Sequence, residues 1–309
     1  MTNRVFKSEM EYPKPHAYGF SNGHDNVSRL ALDPIEVAIS EDGVDWLSYY
    51  DYSGLQDTYC YDWDSAMTNP IEQFQKINTQ DGQYMTSSSF DSRDISTTWY
   101  IDGKSEAEML MSLRRLQSFF MSRNGLWVVF GNEPSYKYRV KTRVFTPTYG
   151  SERSCSVNIV FNNYTGVRES VAKTTELYDM DKEFISRGMG IPRDRRVPWE
   201  FNTNTFTVYN PSDVDIDPLA QKHYLKIHIR GSGNLTLTNK TTGEVFTYSR
   251  PLKDGDELII DGVDPILNGR PDGINSNHGI ISLKKGDNEF AISGLTNIDI
   301  TFEFYFVYF

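Results

Sequence analysis

The chain predicts a mostly β protein: an α+β domain with one helix, followed by an all-β domain of short strands. Three observations carry this. Aromatics make up 14% of the 309 residues, and Tyr and Phe suit strands and contact surfaces. The 22 Gly and 13 Pro punctuate the chain without making it low-complexity. The last segment, Ile298–Phe309, alternates at period two: Ile298, Ile300, Phe302, Phe304 and Phe306 on one face, Asp299, Thr301 and Glu303 on the other. A free tail of that composition aggregates, so the segment is expected to be a paired core strand.

Residues 1–80 are polar and aromatic with few clear periods. Ile35–Ile39 and Trp46–Tyr52 are strand candidates, and Asn78–Gly82 a turn. Tyr59-Cys-Tyr-Asp-Trp63 reads as a strand or a contact loop. From Tyr84 the pattern sharpens, with a strand at Asp94–Ile101 and a turn at Asp102-Gly103. Ser105-Glu-Ala-Glu108 is a capping box that opens a helix over about 105–123. Met109, Leu113, Leu116 and Phe120 form its apolar stripe, and Asn124-Gly125 ends it. Strands follow at Leu126–Phe130, Tyr136–Phe145 and Cys155–Phe161, so residues 1–164 form one domain.

Residues 165–200 read as a connector or arm. Val167–Met180 suits a helix or an extended segment. Arg187–Pro198 is basic and broken by Gly and Pro: a solvated loop, or a docking arm for an acidic neighbour. Residues 201–309 form the second domain. Strands are expected near Phe206–Tyr209, Tyr224–Arg230, Leu235–Asn239, Val245–Tyr248, Glu257–Asp261, Ile280–Leu283, Phe290–Ser293 and Ile298–Tyr308. Turns at Thr242-Gly243, Asp254-Gly255 and Asn268-Gly269 set the hairpins, and the spacing suggests a sandwich or jelly roll.

The net charge of −11 argues against nucleic-acid binding, which needs clustered Lys and Arg on phosphates. No leader segment and no apolar run of membrane-spanning length is visible. Cys60 and Cys155 are expected to be free thiols. The Asn-x-Ser/Thr sites at Asn26, Asn163, Asn234 and Asn239 then carry no meaning.

No catalytic constellation is visible, and catalytic, cofactor-binding and metal residues are all expected to be absent. Asp213-Val-Asp-Ile-Asp217 begins like a calcium loop, but Pro218 stands where glycine is needed and Tyr224 where glutamate is needed. His16, His24, His223, His228 and His278 lack metal-ligand spacing. There is no nucleophile elbow, phosphate loop or dinucleotide fingerprint. With 42 acidic residues an accidental carboxylate pair is expected, so glycoside hydrolysis gains no support. Tyr49, Tyr50, Tyr52, Tyr59, Tyr61 and Trp63 suit either a core and subunit interface or a sugar-stacking surface.

The second domain carries an order of short pieces: Asn210-Pro-Ser-Asp213, Leu225–Gly231, Leu235–Glu244, Leu252–Asp261, Leu267-Asn-Gly269, Ile281–Asn288 and the closing aromatic strand. This succession resembles the C-terminal galectin-like β-sandwich of the phage distal tail protein family. Ser87–Phe161 resembles the sheet-and-helix domain of the same family, whereas residues 1–80 and 165–200 match no part of it.

The resemblance implies a non-enzymatic structural protein of a siphophage tail tip or baseplate, made in the bacterial host cytoplasm. It implies a hexameric ring, single or stacked as a dodecamer, with unknown interface residues. The ring would join the major tail tube protein to the tail-associated protein, pass the tape-measure protein and DNA, and offer its rim to receptor-binding proteins. Copies each at −11 would let DNA through without adhesion. No specific nucleic-acid binding, membrane contact or cofactor is implied. The alternatives are a host cell-wall glycan-binding adhesin and a cell-wall hydrolase. On the outer face of the closing strand, Tyr305, Val307 and Phe309 are left for a partner subunit to cover.

Overall fold

The computed structural model describes residues 5–6, 34–79, 81–178, 185–186, 188–192 and 194–309. The chain divides into two compact units, the first ending at Arg168 and the second running over Glu169–Tyr308. Both are mostly β, as the aromatic content and period-two patterns predict.

In the first unit, β1 (Val37–Ser40) and β2 (Leu47–Ser48) are followed by a 3-10 turn over Tyr49–Asp51. The strand expected over Trp46–Tyr52 is therefore cut short. The Ser48 hydroxyl caps the turn by accepting from the Tyr50 amide, and Tyr49 goes into the core. Next come β3 (Thr58–Ser65), β4 (Pro70–Gln75), β5 (Tyr84–Phe90) and β6 (Arg93–Asp102). Helix α1 (Glu106–Phe120) precedes β7 (Leu126–Phe130), β8 (Tyr136–Tyr149) and β9 (Ser154–Asn163).

The capping box forms as predicted. The Ser105 hydroxyl accepts from the Glu108 amide at 3.3 Å, and the Glu108 carboxylate accepts from the Lys104 amide at 2.8 Å. The helix stops at Phe120, short of Asn124-Gly125. Its buried face holds Met109, Ser112, Leu116, Phe119 and Phe120, while Leu113 lies at the margin of the predicted stripe.

The main sheet of this unit is antiparallel, in the order β2-β1-β7-β8-β9-β6-β3. Helix α1 packs on β6 and β9. Trp99 of β6 meets Phe120 edge-on at 5.3 Å, and Phe120 meets Phe161 of β9 at 5.0 Å. Ile95, Trp99 and Ile101 alternate inward along β6, which is why the pattern was legible. The Trp99 indole donates to Thr97 Oγ1 at 2.9 Å, so its buried N–H is satisfied.

Strand β10 (Arg168–Ser170) spans the boundary, and the second unit contains β11 (Glu200–Phe201), β12 (Thr205–Asn210), β13 (Leu225–Asn239), β14 (Glu244–Thr247), β15 (Glu257–Asp261), β16 (Asp264–Leu267), β17 (Arg270–Pro271), β18 (Gly286–Phe304) and β19 (Val307–Tyr308). Two pairs of expected strands merge. Tyr224–Arg230 and Leu235–Asn239 become the single strand β13. Phe290–Ser293 and most of Ile298–Tyr308 become β18. These two long strands pair antiparallel along their length, with register shifts at Arg230/Ser232 and Gly233/Thr236.

The irregularity lets both strands pass from one layer to the other. Before it, β13 lies between β15 and the last part of β18; after it, between β14 and the first part of β18. The two halves of β18 face each other: Phe290 and Phe302 lie 4.9 Å apart, and Phe206 of β12 contacts both. The result is a two-layered β structure whose inner faces are aromatic. The crossing requires glycine. A Cβ at Gly294 (φ +80°) would lie 1.9 Å from the Asn234 carbonyl oxygen, and one at Gly233 (φ +128°) 2.1 Å from that of Gly294.

Ile280–Leu283 is not a strand. Only a single bridge, Ile216 to Leu283, is made there, and Ser282 is held by the Glu244 carboxylate. The short strands β16 and β17 were not expected from the sequence. Of residues 165–200, the described part of 169–200 packs within the second unit. The Thr174 hydroxyl donates to the Phe302 carbonyl at 2.6 Å, the Ser170 amide to Phe306 at 2.8 Å, and Trp199 Nε1 to Tyr209 at 2.9 Å.

Candidate functional site

Polar clusters that suggested chemistry resolve into structural pairs. Asp215 is bound by Lys284 at 2.7 Å and by the Lys285 amide at 2.8 Å, and Asp213 pairs with Lys285 at 3.3 Å. Burial pushes the Asp215 carboxyl up, but its bonds to Lys284 and Lys285 outweigh this and leave it below its usual range. Asp217 accepts from the Leu219 and Ala220 amides and closes a turn. Lysines thus occupy the space a cation would need.

His223 Nδ1 accepts from the Asp217 amide, and burial lowers its pKa. His228 sits near Glu257 on β13, whereas His223 precedes that strand, so the two do not share a strand as period two would require. His16 and His24 lie outside the described residues. Among the described residues no three His, Cys, Asp or Glu converge as a metal-ligand set. Cys60 and Cys155 are buried free thiols. Burial pushes both thiols up, which disfavours the reactive thiolate.

The aromatic cluster divides. Tyr49 is fully buried, edge-on to Trp99 at 5.0 Å and 4.3 Å from Tyr50. Tyr52 packs on Phe119 at 5.2 Å. Tyr49 is a core residue and cannot present a platform to a sugar, whereas Tyr50, Tyr52, Tyr59 and Tyr61 are half-buried. Trp63 differs: it stacks on Phe130 at 4.1 Å and its Nε1 donates to Asn132 at 2.8 Å, on the wall of a cavity. That cavity measures about 580 Å³, and Arg93, Glu133, Tyr138 and Arg168 also line it. Arg168 Nη1 bonds Glu133 at 2.8 Å and lies over the Tyr136 ring at 4.0 Å.

Hairpin β4–β5 was not expected from the sequence, beyond its turn near Asn78–Gly82. Among the described residues the two strands pair only with each other, as a separate sheet. Every residue of both is exposed. Ile71, Phe74, Tyr84 and Met85 are among the exposed large apolar side chains, with Ile77 in the turn segment. The hairpin has no apolar/polar alternation to be read, because no face of it is buried.

The outer face of the closing strand needs correction. β18 ends at Phe304, and Val307 is buried rather than free. β19 pairs with β10, its Val307 amide donates to Ser212, and the Tyr308 hydroxyl donates to Met189. The chain turns at Tyr305–Phe306, so period two no longer assigns faces there. Tyr305 is half-buried against Tyr224. Of the basic segment, Arg196 lies over the Tyr178 ring at 5.0 Å, while Arg187 and Arg193 lie outside the described residues.

The profile of the phage tail protein RIFT-related domain matches residues 52–163. It reaches back before Ser87 over β3 and β4, in the stretch 1–80 that matched no part of the resemblance. No curated protein matches the chain in sequence. Among solved structures, the phage SPP1 Dit protein is described as a paradigm of the hub adsorption apparatus in phages infecting Gram-positive bacteria. It matches with a TM-score of 0.61 and 13% identity, over 87% of this chain and 99% of that one. Two structures of the phage p2 baseplate in its activated conformation, with calcium and with strontium, match at TM-scores of 0.43 and 0.42. Each has 12% identity and covers 88% of this chain and 97% of that chain. The resemblance carried by the sequence is thus upheld: residues 52–163 match the phage tail protein RIFT-related domain, and the chain shares the fold of a siphophage distal tail protein.

Proposed function

We propose that the protein is a structural component of a phage tail tip or baseplate, located in the virion. In this reading it forms a hexameric ring hub that joins the tail tube to the tail-associated and receptor-binding proteins. The fold and the tail domain support the structural role.

The observation that carries self-assembly is the hairpin β4–β5. A lone two-stranded hairpin is marginal in water, and this one exposes Ile71, Phe74, Tyr84 and Met85. Neither of its outer edges is paired by another strand among the described residues. A neighbouring copy that buries it gives a head-to-tail contact, which closes into a ring when the rotation is right. Without such a partner the exposed apolar side chains and unpaired backbone groups are a liability. The core position of Tyr49 withdraws one of the six aromatics on which a glycan-binding adhesin would rest.

The test is direct imaging and light scattering of the purified full chain. Six-fold rings, single or stacked, are expected. A monodisperse monomer at every concentration up to crystallisation strength would refute the ring.

A further inference from the structure

Helix α1 carries apolar side chains on two faces. The inner face, with Met109, Leu116, Phe119 and Phe120, is buried in the core. Ala107, Leu110, Met111, Arg114 and Ser118 follow at i, i+3, i+4, i+7 and i+11, a second stripe on the opposite side. Together with Arg115 they line a groove. A helix face turned to water is normally polar, yet Met111 is 48% exposed and Leu110 only half-buried. Arg115 lies against Gly54, where an added Cβ would stand 3.0 Å from its Cγ. Arg114 is exposed and makes no hydrogen bond or ion pair among the described residues. The stripe is therefore apolar around one available cation. Hairpin β4–β5 carries the complement. Alternation puts Pro70, Glu72 and Phe74 on one face of β4, and the register sets Ser88 opposite Glu72 and Met85 opposite Phe74. Phe74 and Met85 are exposed, and Glu72 makes no hydrogen bond or ion pair among the described residues. This face is apolar around one available carboxylate.

We propose that this hairpin face of one copy seats on the outer groove of α1 in a second copy. Glu72 then pairs with Arg114, and Phe74 and Met85 cover Leu110 and Met111. The inference rests on the ring reading and names the surface that receives the hairpin. Charge selects this occupant. Hairpin on hairpin would bring Glu72 against Glu72, and helix on helix Arg114 against Arg114, and like charges meeting in an interface are costly. Hairpin on helix joins opposite charges and covers apolar side chains on both sides. The two patches differ, so every copy gives one hairpin and receives another. That is the head-to-tail contact from which a closed ring is built.

The experiment reverses the two charges separately in the full chain, as Glu72→Arg and Arg114→Glu, and follows assembly by light scattering. Each variant alone is expected to need at least about tenfold more protein for half-assembly, because like charges now meet. An equimolar mixture of the two is expected to reassemble at native concentrations. Reversed hairpin then meets reversed helix, native hairpin meets native helix, and the two kinds alternate round an even-numbered ring. Both side chains are exposed, so both variants are expected to melt with the native protein. Rings that persist in both variants, or a mixture that stays dissociated, would overturn the contact and leave the ring standing. A second arm reads the contact without rings. Glu72→Cys and Arg114→Cys variants are mixed and treated with a short bismaleimide, which the buried Cys60 and Cys155 do not reach. Cross-linked dimers of one variant with the other are expected in excess over either variant with itself. The same excess from a native protein that forms no rings would support the contact and refute the ring, and its absence would overturn the contact.

Discussion

Two antiparallel strand pairs in this protein have opposite fates. Strands β13 and β18 pair over nearly their whole length, with one face of each buried, and form the spine of the second unit. Strands β4 and β5 pair just as regularly, yet every residue of both is exposed. Backbone pairing alone therefore does not distinguish a core element from a contact element. What distinguishes them is which side chains the pairing delivers, and to what. In β13–β18 the pleat delivers Ile227, Ile229, Leu237, Phe290, Ile300 and Phe302 to an aromatic interior. In β4–β5 it delivers Ile71, Phe74, Tyr84 and Met85 to water. The first pair serves the stability of the chain, and the second is available to serve assembly.

Breaking each pair separately tests this difference. The largest effect is expected from Gly294→Val, which forces a Cβ to 1.9 Å from the Asn234 carbonyl at a φ of +80°. Strain of that kind, with the backbone shift it demands, costs on the order of 3 kcal/mol or more. Circular dichroism melts should show the second unit unfolding well below the native transition. A native-like melt would mean that the crossing is not a constrained feature.

A middle-sized effect is expected at Glu303. Its carboxylate accepts from Tyr224 and pairs with Lys173 at 3.0 Å. Burial pushes the Glu303 pKa up, but the Tyr224 and Lys173 bonds and the Lys173 charge outweigh it and hold it below the usual range. A depressed carboxylate contributes stability that is present above its unfolded pKa of about 4.3 and is lost as pH falls through the folded value. Glu303→Gln is expected to cost on the order of 1 kcal/mol at neutral pH. The gap in melting temperature between it and the native protein should close below about pH 4. A gap that stays constant down to acid pH would assign the loss to packing instead.

The smallest effect on stability, and the largest on assembly, is expected in the hairpin. Replacing Ile71 and Phe74 together by Glu should leave the melt within about 0.5 kcal/mol of native, since both side chains are exposed. The same double substitution should abolish rings in light scattering. A variant that still forms rings would move the interface elsewhere, and one that unfolds would show that the hairpin supports its own unit.

Much of the fold was legible because burial writes periodicity into sequence. Helix α1 announced itself through Ser105, Glu108 and the spacing of Met109, Leu116 and Phe120. Strand β6 did so through the alternation of Ile95, Thr97, Trp99 and Ile101. Where burial is absent or two-sided the signal fails. Hairpin β4–β5 has no inner face, and β19 has none that period two can assign, because Val307 and Tyr308 are both buried. The separate strands predicted on either side of Gly233 and Gly294 are continuous, because glycine there serves a crossing between layers rather than a turn. For the candidate site, Trp63 was singled out as one of six sequence neighbours, but Arg93 carried no local signal.

The sequence by itself determined the mostly β composition, the single predicted helix with its cap, the free cysteines, the failed calcium loop and the order of short pieces that resembles distal tail proteins. These are local properties: propensity, spacing and turn chemistry act over a few residues. Only the tertiary structure decided that β13 and β18 each run through two layers, that Tyr49 is core while Trp63 lines a cavity, and that Arg93 is buried with two donors that find no acceptor among the described residues. Burial and hydrogen-bond partnership depend on residues far apart in the chain, and no period within a single segment records them.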